Sequence, residues 1–356
     1  MVSSIKIGNK LVGDDEPCFV VAEVSANHMQ SFKMAAEIVR AAARAGADAV
    51  KLQTYTPDTL TIDSRKEWFL VGGKDNPDSW QGKTFYDLYK TAYTPWDWHP
   101  KLKEIAESLG LIFFSTPFDE TAVDFLSSLN VPCFKVASYE CTDVLLLKKI
   151  ARTGKPVIMS IGFATLQEVE LSLQTLQKYG ACEIAVLHCV TSYSDTPDPY
   201  SINLRTILDI RERFGVVSGF SDNNAGIEAP CLAAAMGASI VEKHVVSSHA
   251  DPTYDARFSI DPQELTQMVE TIRRQEALKG QVNYGPNNLA EEHNRGFRRS
   301  LFAVADIKRG QQFTSENIRS IRPANGLPTR FFDEIIGKAA NQDIERGTPL
   351  SWNLIS

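Results

Sequence analysis

Eight short apolar, β-branched runs recur along most of the chain, and each is followed by a segment with helical patterning. They are Phe19–Val24, Ala49–Gln53, Ile112–Thr116, Cys133–Val136, Val157–Ser160, Ile184–His188, Val217–Ser221 and Ile240–His244. The runs are nearly continuous in hydrophobicity, as expected of strands covered on both faces. The segments between them read as helices. Ser31–Ala45 sets Phe32, Ala35, Ala36, Val39, Ala42 and Ala43 on one stripe. Thr165-Leu166-Gln167-Glu168 is a capping-box pattern opening a helix that runs through Leu176. Asp261-Pro262-Gln263-Glu264 supplies a cap, a first-turn proline and an acidic third position. Eight strand–helix alternations over roughly 280 residues predict an α/β chain folded as a (β/α)8 TIM barrel, with an open doubly wound sheet as the alternative.

The connection between the second and third strands is long, about 58 residues. It includes Asp63–Asp87 and the aromatic stretch Tyr93-Thr94-Pro95-Trp96-Asp97-Trp98-His99. A long loop after a barrel strand either serves the active face or carries a small core of its own. Near Gly285-Pro286 the texture turns polar, so the barrel is placed at 1–285, a linker at 286–297 and a small domain at 298–356. That last part contains an echo, Asp306-Ile307-Lys308-Arg309-Gly310 and Asp343-Ile344-Glu345-Arg346-Gly347, which reads as two related turns in a mostly β unit.

A net charge of -7 in 356 residues argues against a general nucleic-acid binder, which needs a basic face. No apolar run approaches the length of a membrane span. The first residues lack a signal-peptide core. The six cysteines, Cys18, Cys133, Cys141, Cys182, Cys189 and Cys231, are scattered without a CxxC pair. They read as buried free thiols, so a cytoplasmic location is expected and a zinc site is not.

Catalytic groups of a (β/α)8 barrel sit at the C-terminal strand ends. Polar residues crowd there: Glu23, Lys51 and Gln53, Thr116, Lys135, Ser138 and Glu140, Ser160, Tyr193, Ser221 and Asn223, and Glu242 and His244. Lys51 and Lys135 lie inside otherwise apolar strands. A buried lysine needs an anion. With Thr116, Ser138 and Ser160 the two lysines would form a phosphate or carboxylate pocket. Alternatively each pairs with Glu23, Glu140 or Glu242 and serves structure. Glu242 and His244 are expected on opposite faces of their strand. His244 reads as a metal ligand, a general acid or a structural residue, and Asp255 as a sugar contact or an ordinary turn aspartate.

The set Ala22-Glu23-Val24-Ser25-Ala26-Asn27-His28, Ala47–Thr54, Phe114–Asp119, Phe134–Ser138 and Val241–His244 resembles the sialic acid synthase family. The tail from Arg298-Arg299-Ser300-Leu301 to Ile321-Arg322-Pro323 resembles its antifreeze-like (SAF, β-clip) domain. Thr84–Lys90, Ala92–His99 and Asp343–Trp352 look most like pseudaminic acid synthases within it. The resemblance implies condensation of phosphoenolpyruvate with an open-chain 2,4-diacetamido-2,4,6-trideoxyhexose, giving pseudaminic acid and phosphate. It implies that Lys51, Thr116, Lys135, Ser138, Ser160 and Ser221 hold phosphoenolpyruvate. Glu140, Glu23 and His244 would be catalytic, and Gln53, Tyr193, Asp255 and Arg322 would contact the sugar, Arg322 from the other subunit of a domain-swapped homodimer. A divalent metal, Mn2+ or Mg2+, would be held by His244 and by the residue at 223.

The chain departs from the family pattern around the site. Asn223 stands where the family has a second histidine, which implies a weaker, oxygen-type ligand. Ile161, Thr191 and the loop Asp251-Pro252-Thr253-Tyr254-Asp255 also differ. Three readings follow: a pseudaminic acid synthase, a synthase of the same chemistry with another acceptor such as an N-acetylneuraminate or legionaminate type, and a non-catalytic barrel that binds phosphoenolpyruvate or a sugar.

Overall fold

The computed structural model describes residues 4–72 and 82–356, so part of the long connection, at 73–81, lies outside the described residues. Two compact units divide between Lys279 and Gly280. The first opens with an antiparallel hairpin, β1 (Ile5–Ile7) and β2 (Lys10–Val12). Eight parallel strands follow: β3 (Phe19–Glu23), β4 (Ala49–Thr54), β5 (Ile112–Pro117), β6 (Phe134–Val136), β7 (Val157–Ser160), β8 (Ile184–Val190), β9 (Val217–Asp222) and β10 (Ile240–His244). They close in sequence order, with β10 pairing to β3, so the fold is the (β/α)8 barrel and not the open sheet. All eight strands occur where the sequence places them, to within two residues at either end.

Alternation along each strand divides the apolar residues into two cores. Val20, Val50, Phe113, Val136, Met159, Val186, Phe220 and Val241 pack outward against the helices. Phe19, Val21, Ala49, Ile112, Phe114, Ile158, Leu187, Val217 and Ile240 point inward and fill the barrel near the strand starts. Ile5, Ile7 and Val12 of the hairpin join that inner core and floor the barrel. The hairpin was not anticipated: its strands are three residues each, too short for a pattern to stand out, although Ile5 and Ile7 alternate and Gly8 supplies a left-handed turn at φ 60°.

The helices end where their capping residues predict. Phe32–Arg44 is capped by Ser31, and Leu166–Lys178 begins on the Thr165–Glu168 capping box. Pro262–Lys279 starts on a reciprocal pair, Glu264 N–H donating to Asp261 Oδ1 at 2.9 Å and Asp261 N–H to Glu264 Oε2 at 2.9 Å. The long connection contributes helices Phe85–Ala92 and His99–Ser108. Two buried histidines tie it to the barrel: His28 Nε2 lies 2.8 Å from Thr94 Oγ1, and His99 Nε2 lies 2.9 Å from Thr54 Oγ1. Burial holds both imidazoles down at about 4, so they bond as neutral rings.

The second unit contains the antiparallel pair β11 (Ser300–Ala303) and β12 (Ile318–Ile321) and a core of Leu301, Ile307, Phe313, Ile318, Ile335, Ile344 and Leu350. The two echoed pentapeptides face each other. Ile307 and Ile344 exchange both backbone hydrogen bonds at 2.8 Å. Asp343 Oδ1 accepts from Arg309 N–H at 2.9 Å, and Asp306 Oδ1 accepts from Arg346 N–H at 2.8 Å. Each aspartate thus caps the other repeat's turn, which explains why the motif occurs twice. Five cysteines are buried thiols, whereas Cys182 is exposed, because it follows the turn Gly180-Ala181 and lies before β8.

Gly219, inside β9, has no room for a side chain: a Cβ there would lie 2.4 Å from Ile240 O and 2.7 Å from Leu187 Cδ2. Gly219→Ala is expected to destabilise the barrel by about 1–3 kcal/mol. A lower urea midpoint with an unchanged denaturant slope is the expected observation.

Candidate active site

The inward stripe changes character along every barrel strand. Residues near the strand starts are apolar, and the next inward positions are Glu23, Lys51 and Gln53, Thr116, Lys135, Ser160, Cys189, Ser221, and Glu242 and His244. Register explains the clustering: β3 aligns Glu23 with Lys51, β4 aligns Gln53 with Thr116, and β9 aligns Ser221 with Glu242. Glu242 and His244 therefore share the interior face, not opposite faces as expected, because positions two apart on a strand point the same way. Lys243, between them, takes the other face and pairs with Asp222 at 2.7 Å, both fully buried.

Lys51 Nζ lies 2.7 Å from Glu23 Oε2, 3.1 Å from Thr116 Oγ1 and 3.6 Å from Glu242 Oε1. Lys135 Nζ donates to Ser160 Oγ at 2.6 Å and to Val136 O at 3.1 Å, and its nearest carboxylate oxygen, Glu242 Oε1, is 3.8 Å away. Ser221 Oγ donates to the same Glu242 oxygen at 3.1 Å. Both lysines thus converge, as an anion pocket requires, and both also have carboxylate neighbours, as the structural alternative requires. The two are unequally satisfied. Burial alone would lower Lys51, but Glu23 and Glu242 outweigh it and hold the ammonium above its ordinary range. Burial prevails at Lys135 and lowers it. Lys135 is therefore the less fully paired of the two cations.

Ser138 Oγ accepts from Gly162 N–H at 3.0 Å and lies beside Cys189. A side chain at Gly162 would meet Thr191 Cγ2 at 2.7 Å and Ser138 Oγ at 2.9 Å, so this wall of the pocket is backbone. Glu140 follows β6, with Lys135 among the charges acting on it. Burial raises its carboxyl to about 7, and its Oε2 is shielded from solvent without a hydrogen-bond partner. Burial raises Glu23 to about 7 as well, against the pull of Lys51.

His244, Asp255 and Tyr193 form the next sector. Phe258 packs against both Tyr193 and His244, with ring centroids 5.0 Å and 5.1 Å apart. His244 Nδ1 is 3.7 Å from Asp255 Oδ2 and has no hydrogen-bond partner. Burial, then Lys51, Lys243 and Lys135, push His244 well below its ordinary range, so its ring is neutral. Asn223 Nδ2 donates to Cys189 Sγ at 3.5 Å, which leaves the amide oxygen as its group for binding a ligand. One imidazole nitrogen and one amide oxygen are donor types that would suit a hard divalent cation, more weakly than two imidazoles would suit a transition metal. His249, Asp261 and Glu264 also lie close together, but Glu264 Oε2 is engaged by His249 at 2.7 Å and by the helix cap, which accounts for that group.

Arg322 is an exposed residue of the second unit, just beyond β12. Residue types alone did not single out Glu242 as a site residue, nor Ser25, Cys189 and Tyr89. For the first three the inward period-two stripe continued past the apolar layer is the signal. Tyr89, from the long connection, carries none. Burial raises its hydroxyl to about 12, with Glu140 contributing.

Residues 38–284 match the NeuB family and residues 298–356 match the SAF domain. A pseudaminic acid synthase of Campylobacter jejuni is 38% identical over 348 residues, covering 97% of this chain and 98% of the relative. An N,N'-diacetyllegionaminic acid synthase of Legionella pneumophila is 34% identical over 361 residues, covering 100% of this chain and 99% of the relative. The crystal structure of the spore coat polysaccharide biosynthesis protein spsE from Bacillus subtilis superimposes with a TM-score of 0.67 at 34% identity, covering 99% of each chain. A closed barrel with a polar upper layer, a SAF domain following it in the sequence and likeness running nearly end to end lead to one conclusion: the chain belongs to the NeuB family.

Proposed function

We propose that this chain condenses phosphoenolpyruvate with the open-chain aldehyde of a 2,4-diacetamido-2,4,6-trideoxyhexose, giving pseudaminic acid or a close nonulosonic relative and inorganic phosphate. The observation that carries the reading is the convergence of Lys51 and Lys135 on one point, 3.6 and 3.8 Å from Glu242 Oε1, ringed by hydroxyls. Lys51, Thr116, Lys135, Ser138, Ser160 and Ser221 hold the phosphate and carboxylate of phosphoenolpyruvate. Its second negative group gives Lys135 the partner that Glu242 supplies only at a distance.

The enol π pair forms the new bond to the aldehyde carbon, whose oxygen takes up a proton. Water adds to the cationic carbon left behind and loses a proton. The resulting tetrahedral centre breaks its bond to the phosphate oxygen, its hydroxyl proton passes to the departing phosphate, and the carbon becomes the ketone. Glu140, whose Oε2 is buried without a hydrogen-bond partner, accepts the proton from water. Glu23 holds Lys51 and Gln53 in place. Gln53, Tyr193 and Asp255 face the sugar. His244 and Asn223 would hold a divalent ion, Mn2+ or Mg2+, which when bound polarises the aldehyde oxygen.

The run 280–299 is exposed at every residue, in keeping with a linker at 286–297 between a barrel at 1–285 and a SAF domain at 298–356. We place the partner subunit's Arg322 against the sugar in a domain-swapped homodimer. No described helix is long and apolar enough to cross a membrane, and the free thiols suit a cytoplasmic enzyme. The legionaminate-type relative favours a second reading, in which the same chemistry takes a differently configured acceptor.

The test is phosphate release from phosphoenolpyruvate across a panel of acetamido sugars, with mass detection of the product. Release with the 2,4-diacetamido-trideoxyhexose is expected, and none with any acceptor sinks the reading. Lys135→Met should leave the fold intact, since Glu242 keeps Lys51 and Ser221. It should lower kcat/KM for phosphoenolpyruvate by roughly a hundredfold. With Glu140 near 7 and active as the carboxylate, kcat should rise with pH through about 7. Glu140→Gln should abolish that limb, and its persistence would move the assignment to Glu23. Asn223→His should tighten Mn2+ binding about tenfold or more by calorimetry. Unchanged affinity would place residue 223 away from the ion.

A further inference from the structure

The turn after β3 holds a serine in a conformation that serine seldom adopts. Ser25 has φ 48°, in the left-handed region that strains any residue with a Cβ, and it is 3% exposed. Its hydroxyl lies at the seam where β10 closes onto β3. Gln53 Nε2 donates to Ser25 Oγ at 2.9 Å and to Glu23 Oε1 at 3.1 Å. Ser25 in turn donates to Asp255 Oδ2.

The direction of this relay follows from the chemistry. An ionised Glu23 oxygen only accepts, so the nitrogen of the Gln53 side chain must face it. The same nitrogen gives its second hydrogen to Ser25. The hydroxyl hydrogen of Ser25 is then committed to Asp255. Gln53 keeps its carbonyl oxygen as a hydrogen-bond acceptor, and the Asp255 carboxylate, which also takes a backbone hydrogen bond from Ala26, keeps lone pairs for further donors. Anchoring of the 253–259 loop does not need Ser25. Thr253 Oγ1 donates to Asn27 Oδ1 at 2.6 Å, and Asn27 Nδ2 donates to Val245 O at 2.9 Å and Ser259 Oγ at 2.8 Å. The strained serine is therefore spare as a fastener and specific as an orienting group.

We infer that Ser25 is a specificity-determining positioning residue, which locks Gln53 and Asp255 into one acceptor array matched to the hydroxyl or amide N–H donors of the aldehyde sugar. The inference rests on the synthase reading above and deepens it.

Steady-state KM for both substrates in wild type, Ser25→Ala and Ser25→Gly tests it. Both variants should raise the KM for the acceptor sugar roughly tenfold, the loss of one hydrogen bond to a charged group. The KM for phosphoenolpyruvate should stay within about twofold, because Lys51 keeps Glu23 and Thr116, and Lys135 keeps Ser160, without any bond to Ser25. Ser25→Gly relieves the left-handed strain, so it remains foldable even if Ser25→Ala does not, and its thermal midpoint should not fall below that of Ser25→Ala. An unchanged acceptor KM in an active Ser25→Gly enzyme overturns the inference and leaves the synthase reading standing. An equal rise in both KM values also overturns it, since that marks general loosening. A wild-type enzyme that releases no phosphate with any acceptor sinks the reading and the inference together.

Discussion

Everything in the barrel mouth depends on one buried cluster of charge: Lys51 between Glu23 and Glu242, with Lys135 approaching the same Glu242 oxygen. Taking ions out of water costs several kcal/mol each unless geometry restores the lost solvation. Lys51 is restored, with a carboxylate at 2.7 Å and a hydroxyl at 3.1 Å. Lys135 has a hydroxyl and a carbonyl close by, and its carboxylate is at the edge of useful range. The opposite displacements of the two lysines from their ordinary range express this difference. A site that is nearly balanced but one partner short is suited to an anion that arrives, reacts and leaves.

That imbalance is sustained by what lies below it. The inner apolar layer, floored by Ile5, Ile7 and Val12 of the hairpin, keeps water out from beneath the lysines. Low local dielectric then strengthens each contact above it and raises the cost of any contact left unmade. Burial is likewise the main reason that the carboxyls of Glu23 and Glu140 are raised. Behind the inward groups, the buried Lys243–Asp222 pair joins the ends of β9 and β10, the strands that carry Ser221, Glu242 and His244.

Much of this was legible beforehand. Nearly continuous apolar runs could only be strands covered twice, and eight of them in alternation left few architectures. Lys51 and Lys135 stood out because a lysine inside such a run has to meet an anion. The echo around Asp306 and Asp343 was visible as a repeat, but that each aspartate caps the other's turn depends on two segments far apart in sequence being brought together. The hairpin was missed because its three-residue strands carry too little pattern, and the shared face of Glu242 and His244 was misread although a period of two decides it.

The order of residues by itself determined the strand count, the helix caps and the polar band at the strand ends, because these follow from local periodicity and local hydrogen-bonding chemistry. Tertiary structure decided which of those polar groups are partners. Barrel closure brings Ser25 to Asp255, and register sets Lys51 beside Glu23 and both lysines around Glu242. Such pairings join residues up to 230 positions apart. No local rule reaches that far, because only the closed ring of strands fixes the distances on which the electrostatics depend.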